Sequence, residues 1–287
     1  ILRNSLPIDQ KELRELQNKL EDTSEDLRGS RWSAISKATS RSQFLVSNKK
    51  NQILDSMPAE NKENASNLLS NLKEELDELG KIANEKNKVS FLDVRRQSLK
   101  TIDDIESLLI TKNFPYQIPS EYNNLPRLLG RANVEIKTSK GNMNAIIDGY
   151  NAPLTAGAFI DLSMKGFYDG LPINRAEEFF ILQTGDPKGE TIGYIDPDNN
   201  ELRRVPLEIR TSSLEDTLYG ETFEDVGLYT ETPVLPFATL GTLGWAHSDT
   251  DLNDGSSQFF FFLYEAELNP AGRNLIDGRN AAFGYVI

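Results

Sequence analysis

The chain has 287 residues with 31 basic and 44 acidic side chains, a net charge of −13, no cysteine and one histidine. These numbers exclude disulfides, thiolate zinc sites, cysteine nucleophiles and metal sites that need two histidines, so any metal site would consist of carboxylates only. No metal and no cofactor are expected. The acidic balance argues against a basic surface for nucleic acid or anionic lipid. With 38% hydrophobic residues, the chain can bury the core of one large domain or two ordinary ones.

Residues 1–125 carry a net charge of −1 and residues 126–287 carry −12, so the two halves are expected to be separate domains. The longest apolar stretch, Phe259 to Tyr264, is too short to span a bilayer. The sequence begins at Ile1 without a signal-like apolar run, which leads us to expect that a targeting segment precedes this numbering in the precursor.

Apolar residues at helical spacing predict amphipathic helices within residues 1–112. The first set follows Pro7 and Asp9, which are typical of a helix start, and a weaker helix is expected from Trp32 to Leu54. Each of three sets places its apolar residues on one face of a helix. The sets are Leu13, Leu16, Leu20 and Leu27; Leu68, Leu72, Leu76, Leu79 and Ala83; and Leu92, Leu99, Ile102, Ile105 and Leu109. Four such helices with short connections predict an up-down four-helix bundle.

Three prolines, Pro115, Pro119 and Pro126, predict a linker over residues 113–127, because each restricts its own backbone and that of the residue before it. Residues 128–287 contain short β-rich runs between turn residues, together with one helix after Asn151-Ala152-Pro153. This pattern favours a β domain, most simply a barrel with few helices.

Three stretches of the second half resemble the cyclophilins. They are Phe167 to Asp186 with Arg175 and Phe180-Ile181-Leu182-Gln183, Tyr219 to Asp225, and Gly241 to Gly284 with Ser256-Ser257-Gln258-Phe259-Phe260 and Asp277-Gly278-Arg279. With the helical domain in front, the chain is more narrowly similar to the two-domain cyclophilins of the thylakoid lumen. The resemblance implies an α+β multidomain protein: an N-terminal four-helix bundle followed by a cyclophilin-like antiparallel β-barrel.

That family catalyses rotation about the X–Pro amide, whose barrier is about 18–20 kcal/mol. On the resemblance, the Arg175 guanidinium is the donor to the proline nitrogen, an apolar pocket holds the ring, and further groups hold the flanking peptide. Stabilising the twisted amide more than either planar form accelerates the rotation. The implied substrate-binding residues are Phe180, Ile181, Gln183, Ala246, His247, Gln258, Phe260, Leu275, Ile276 and Asn280.

Several departures from the family pattern predict reduced turnover. Asn280 stands where active members have histidine, and Leu275 stands where cyclosporin-sensitive members have tryptophan, so weak or no cyclosporin binding is expected. Glu177 and Glu178 lie between Arg175 and Phe180, where either carboxylate is able to pair with the guanidinium. The alternative function is therefore a catalytically weak or silent chaperone or assembly scaffold that binds proline-containing or extended segments.

The resemblance further implies residence in the thylakoid lumen, or in a cyanobacterial lumen or periplasm, with photosystem II subunits as partners during assembly or maintenance. Because the linker is short, the bundle is expected to reach the cyclophilin groove and to act as an autoinhibitor. The segment between Asp186 and Tyr219 is longer than in compact members, and the sequence ends at Ile287, short of the family's last elements, so the C-terminal end is expected to be incomplete.

Overall fold

The computed structural model describes residues 2–110, 114–263 and 276–287. The chain divides into two compact units: a helical unit over residues 6–113, and a sheet unit formed by residues 1–5 together with residues 114–287. Within the described residues, no helix is both long and apolar enough to cross a membrane.

The helical unit contains four long helices and a short one: α1 Lys11–Arg28, α2 Trp32–Asn48, α3 Lys50–Asp55, α4 Lys62–Glu85 and α5 Lys88–Ser107. Side-chain contacts link each long helix to its neighbours. Arg41 of α2 pairs with Glu15 of α1, and Gln43 of α2 donates to the Leu76 carbonyl of α4. Thr101 of α5 donates to Glu75 of α4, and Arg95 of α5 donates to the Leu20 carbonyl of α1. Two contacts fix the direction of α5 relative to α1: Leu20 lies against Arg95, whereas Arg14, earlier in α1, lies against Glu106, later in α5, so these two helices are antiparallel. The spacing of the leucines thus correctly predicts a helical N-terminal region.

The leucines at helical spacing form the core of this unit, with Leu16 and Leu76 fully buried among them. Two local predictions were wrong. The first helix begins at Lys11 and is capped by the side chain of Gln10, which accepts a hydrogen bond from the Leu13 N–H. In α5, Phe91 is buried while Leu92 is exposed, because a one-residue step along a helix turns the side chain by about 100°.

The sheet unit is built on a seven-stranded antiparallel sheet with the order β1-β2-β11-β9-β10-β4-β3. Its strands are β1 Arg131–Thr138, β2 Gly141–Asp148, β3 Arg175–Glu177, β4 Ile181–Thr184, β9 Thr242–Trp245, β10 Phe259–Phe262 and β11 Ala282–Val286. The short strands β5 Ile195–Asp196 and β6 Glu201–Leu202 form one hairpin, and β7 Glu208–Ile209 and β8 Leu218–Tyr219 form another pair.

The strand order leaves β1 and β3 as the two edges of the sheet, and no pairing joins them within residues 114–263 and 276–287. The α+β organisation and the antiparallel sheet are therefore present, whereas the strands of the described residues do not close into the barrel expected from the sequence. Closure requires the two edge strands to exchange hydrogen bonds, and strand pattern alone does not specify that long-range pairing.

Helix α6, Pro153–Met164, packs on one face of the sheet through Phe159, whose ring contacts those of Phe259 and Phe283. Proline at the first turn starts the helix where its missing N–H is harmless. The segment between β4 and β8 supplies the cap, because the buried Glu208 carboxylate accepts hydrogen bonds from the N–H groups of Leu154 and Thr155 at 3.0 and 2.7 Å.

The same segment is also fastened at the other end of α6. Arg203 is buried, forms an ion pair with Asp161 at 2.8 Å and lies 4.6 Å from the centre of the Tyr194 ring. The Tyr194 N–H donates to the Ser256 hydroxyl at 2.8 Å, which ties the segment to the loop before β10. The long acidic insertion noted in the sequence is therefore a fixed part of the sheet unit.

Residues 2–5, a single 3₁₀ turn, belong to the sheet unit. The Ser5 hydroxyl donates to the buried carboxylate of Asp148 at 2.5 Å, and Arg131 donates to the same carboxylate at 2.8 Å. Residues of the sheet unit thus stand both before and after the helical unit in the sequence.

Candidate functional site

The sheet has two different faces around strand β10, because successive side chains along a strand point to opposite sides. Phe259 and Phe261 pack in the interior with α6, whereas Phe260 and Phe262 lie on the other face. Antiparallel pairing aligns Phe260 with Gln183 on β4, and Gln183 with Arg175 on β3. Cross-strand partners share a face, so register alone brings an aromatic ring, an amide and a guanidinium into one row.

An apolar floor lies beneath this row. The Phe260 ring stacks on Phe237 with centroids 5.7 Å apart and planes 21° apart. Gly244, the partner of Phe260 on β9, gives the rings room, since a Cβ there would overlap both of them. The apolar floor consists of a cluster of buried residues with three partly buried ones against it. The buried members are Ile181, Leu235, Phe237, Phe260, Phe262, Ala282 and Tyr285, and the partly buried ones are Phe180, Ala246 and Ile276.

The polar groups of the row form a continuous chain of hydrogen bonds. The Arg175 guanidinium donates to the Gln183 amide oxygen at 3.4 Å, and the Gln183 amide nitrogen donates to Gln258 at 2.8 Å. The Gln258 amide nitrogen then donates to Asp186 at 3.1 Å. At the other end, Arg175 Nε donates to Glu177 Oε1 at 2.7 Å. The guanidinium is half-exposed and lies at the open edge of the apolar floor.

His247 and Asn280 form a second group beside the floor. The two ring nitrogens of His247 lie 2.8 Å from the Ser248 carbonyl oxygen and 2.9 Å from the Arg279 carbonyl oxygen. The Asn280 amide nitrogen donates to the Trp245 carbonyl and lies 3.3 Å from His247 Nε2. Both side chains thus lie against backbone carbonyls of neighbouring loops.

A pocket of about 200 Å³ opens between these two groups. It is lined by Gln183, Ile192, Gly193, Ala246, His247, Ser248, Asp254, Ser256, Ser257 and Gln258. Ile192 comes from the long insertion and is 74% exposed, so the insertion contributes an apolar wall next to the row. The extended edge at Ala246 is fixed by its backbone N–H, which donates to the Gln258 carbonyl at 3.0 Å.

The structure brings ten of the eleven site residues predicted from the sequence to this one face: Arg175, Phe180, Ile181, Gln183, Ala246, His247, Gln258, Phe260, Ile276 and Asn280. The eleventh, Leu275, lies outside the described residues. Phe237 was missed, because its only signal in the sequence is its place after Pro236 in a turn-rich segment. Its backbone N–H donates to the buried Asp277 at 2.7 Å, which fixes the floor.

Tyr285, a buried member of the floor, anchors the segment that carries Phe237. Burial raises the pKa of its phenol, so the hydroxyl stays protonated and donates to the Pro236 carbonyl at 2.7 Å. No sequence pattern indicated this role for Tyr285, because a tyrosine in an apolar strand is ordinarily a core residue.

Two family models match the chain. Residues 1–110 match the model described as peptidyl-prolyl cis-trans isomerase CYP38-like, PsbQ-like domain, and residues 133–287 match cyclophilin type peptidyl-prolyl cis-trans isomerase. The site geometry agrees with this match, since the row and the apolar floor both lie within the second range. The chain belongs to the cyclophilin-type peptidyl-prolyl cis-trans isomerase family, with a CYP38-like N-terminal domain.

Among curated proteins, the chain is 45% identical over its full length to a protein of Synechocystis sp. named as a thylakoid lumen peptidyl-prolyl cis-trans isomerase, covering 76% of that protein. It is 37% identical, again over its full length, to the chloroplastic peptidyl-prolyl cis-trans isomerase CYP38 of Arabidopsis thaliana, covering 68% of it. The chloroplastic CYP37 of Arabidopsis thaliana is 34% identical over 66% of the chain and is covered to 42%.

Proposed function

We propose that the chain isomerises X–Pro bonds in other proteins, with Arg175 as the donor to the twisted amide. The observation that carries this proposal is the register row of Arg175, Gln183 and Phe260 above an apolar floor. In this proposal a proline ring packs against Phe260, and Gln183 bonds the neighbouring peptide group. No nucleophile is needed, because the reaction breaks only the partial double-bond character of the amide.

In this mechanism the guanidinium donates to the proline nitrogen as that atom becomes pyramidal. Such a bond exists only when the amide is twisted, so it stabilises the transition state and neither planar form. The remaining predicted residues, among them Ala246 and His247 at the groove edge, hold the peptide that precedes the proline. Leu275 and Asn280 replace larger or basic family side chains, which supports attenuated turnover and weak or absent cyclosporin binding.

The test is a proline-isomerisation assay on a blocked Xaa-Pro peptide with the whole chain. We expect Arg175→Ala to lower kcat/KM by at least about tenfold, since each 1.4 kcal/mol of lost stabilisation is a factor of ten. Arg96→Ala is the matched control, because Arg96 is an exposed arginine paired with Asp93 in the helical unit. An unchanged rate in Arg175→Ala would remove Arg175 from the mechanism.

A binding scaffold is the second candidate function. It is favoured by the engagement of Arg175 with Glu177, which occupies the donor in this structure. A scaffold of this kind binds proline-containing or extended segments by titration and shows no turnover in any form of the chain. Ordinary turnover in the wild-type chain would defeat it. Autoinhibition by the helical region is tested by comparing peptide affinity with and without that region.

We also infer residence in the thylakoid lumen and a role in photosystem II assembly or maintenance. The support is the lumenal and chloroplastic naming of the two full-length relatives and the match of residues 1–110 to a PsbQ-like model. Fractionation of thylakoids with an antibody to the chain tests the location. Binding of purified photosystem II subunits, compared with a stromal protein of similar charge, tests the role.

A further inference from the structure

Strand β3 places one of the two glutamates that follow Arg175 on the groove face. Arg175 is aligned with Gln183 and Glu177 with Ile181, so residues 175 and 177 point to the same side of the sheet. Glu178 belongs to the next position and is exposed, and within the described residues no ion pair involves it. Of the two carboxylates, Glu177 is therefore the partner of the guanidinium, with Nε and Oε1 2.7 Å apart.

A tight turn fixes the backbone of Glu177 at the groove edge. The Phe180 N–H donates to the Glu177 carbonyl at 3.1 Å, and Phe179 within the turn has a φ of 60°. A bulky residue is rarely found in this left-handed conformation, and such local strain is concentrated at functional sites. The turn joins Glu177 directly to Phe180, which packs against the apolar floor.

The contact between Arg175 and Glu177 forms one end of the hydrogen-bond chain along the row. From Glu177 it runs through Arg175, Gln183 and Gln258 to Asp186, with a carboxylate at each end. In the free chain, the groups that a peptide would use are thus already bonded to one another. A peptide has to draw the guanidinium away from Glu177 before Arg175 can donate to the amide.

We propose that Glu177 is an internal competitor for Arg175 and sets the activity of the groove. This inference rests on the proposed isomerase function and specifies how that site is tuned. Both side chains of the ion pair are about half-exposed, at 50% and 46%. Exposed ion pairs are weak and are screened by salt. Glu177 therefore attenuates Arg175 by a small factor, about two- to fivefold, and does not silence it.

The experiment compares Glu177→Gln with Glu178→Gln in the whole chain, because the two positions are adjacent and only one faces the groove. The probe is an uncharged, blocked Xaa-Pro peptide, followed by kcat/KM and by titration. Glu177→Gln is expected to raise kcat/KM by about two- to fivefold, with an unchanged Tm, while Glu178→Gln matches the wild type. Raising NaCl from about 0.05 to 0.5 M should increase wild-type kcat/KM and leave that of Glu177→Gln level.

Equal kinetics for the two variants at both salt concentrations would overturn the role of Glu177, and a loss of activity in Arg175→Ala would still uphold the isomerase. If no form of the chain turns over, the isomerase proposal fails by itself. Glu177 is then judged by titration, where tighter peptide binding by Glu177→Gln supports competition and equal binding by both variants rejects it.

Discussion

Phe259 and Phe260 are adjacent identical residues with almost the same burial, 4% and 5% exposed, yet they lie in different chemical surroundings. Phe259 is enclosed by aromatic rings of the interior, including Phe159 at 5.0 Å and Tyr168 at 5.3 Å. Phe260 stacks on Phe237 and is aligned with Gln183. Burial alone therefore does not separate core from site in this sheet, whereas the cross-strand neighbours do.

The largest expected effect comes from removing either ring. Phe259→Ala and Phe260→Ala should each lower the free energy of unfolding of the sheet unit by about 3–5 kcal/mol, since both leave a large cavity. Only Phe260→Ala is expected to weaken peptide binding by those molecules that remain folded. Denaturant titration and calorimetric peptide titration measure the two quantities.

The leucine variants keep this comparison usable if the alanine variants unfold. Phe259→Leu and Phe260→Leu retain most of the volume and should cost less than about 1.5 kcal/mol each. Equal losses of peptide affinity in both would contradict the division of the sheet into an interior face and a groove face.

Glu208 offers a test of the interior face of the sheet alone, because its carboxyl group caps α6, the helix that carries Phe159. Burial raises the pKa of this carboxyl from 4.5 to about 7. Between these values the folded chain holds a proton that the unfolded chain releases, so stability from this group is full below about pH 4.5 and is lost as the pH rises through 7. The loss amounts to at most about 3 kcal/mol.

The measurement is the urea midpoint of the sheet unit at pH 5 and pH 8 for the wild type and Glu208→Gln. The glutamine variant should lack this pH dependence, so its stability relative to the wild type rises between the two pH values. Peptide affinity of the folded molecules should not follow the change. Parallel pH dependence in both proteins would show that the carboxyl titrates normally.

Gly244→Ala should have a smaller effect, concentrated on the groove face. The new Cβ would overlap the rings of Phe260 and Phe237, so we expect a loss of about 1–3 kcal/mol together with weaker peptide binding. Gly130→Ala is the control, because a Cβ there meets only the Tyr150 hydroxyl, at 3.8 Å. If the two variants behave alike in thermal unfolding and peptide titration, the floor is less tightly packed than its geometry implies.

The amino-acid sequence predicted the helical unit well because its signal is local. Leucines at helical spacing determine which faces pack, and short connections determine which helices are neighbours. The row in the sheet unit was also predictable, through the spacing of Arg175, Gln183 and Phe260 in the resemblance to cyclophilins. Strand register then converts that spacing into a common face.

The remaining features depend on contacts between distant positions and have no pattern of their own. Glu208 lies in the insertion without a motif, and only the folded chain shows that it caps a helix that begins at Pro153. The choice between Glu177 and Glu178 required the start of β3, since alternation along the strand decides which one faces the groove. Closure of the sheet likewise depends on edges that the sequence pattern does not pair.

The hydrogen bond from the Ser5 hydroxyl to Asp148 bears on where the chain can be cut to obtain the sheet unit as a fragment. A fragment that starts at the linker would retain Asp148 and Arg131 but lose the hydroxyl that donates to the buried carboxylate. In this sequence, residues of the sheet unit stand on both sides of the helical unit, so a cut at the linker alone separates Ser5 from its partner Asp148.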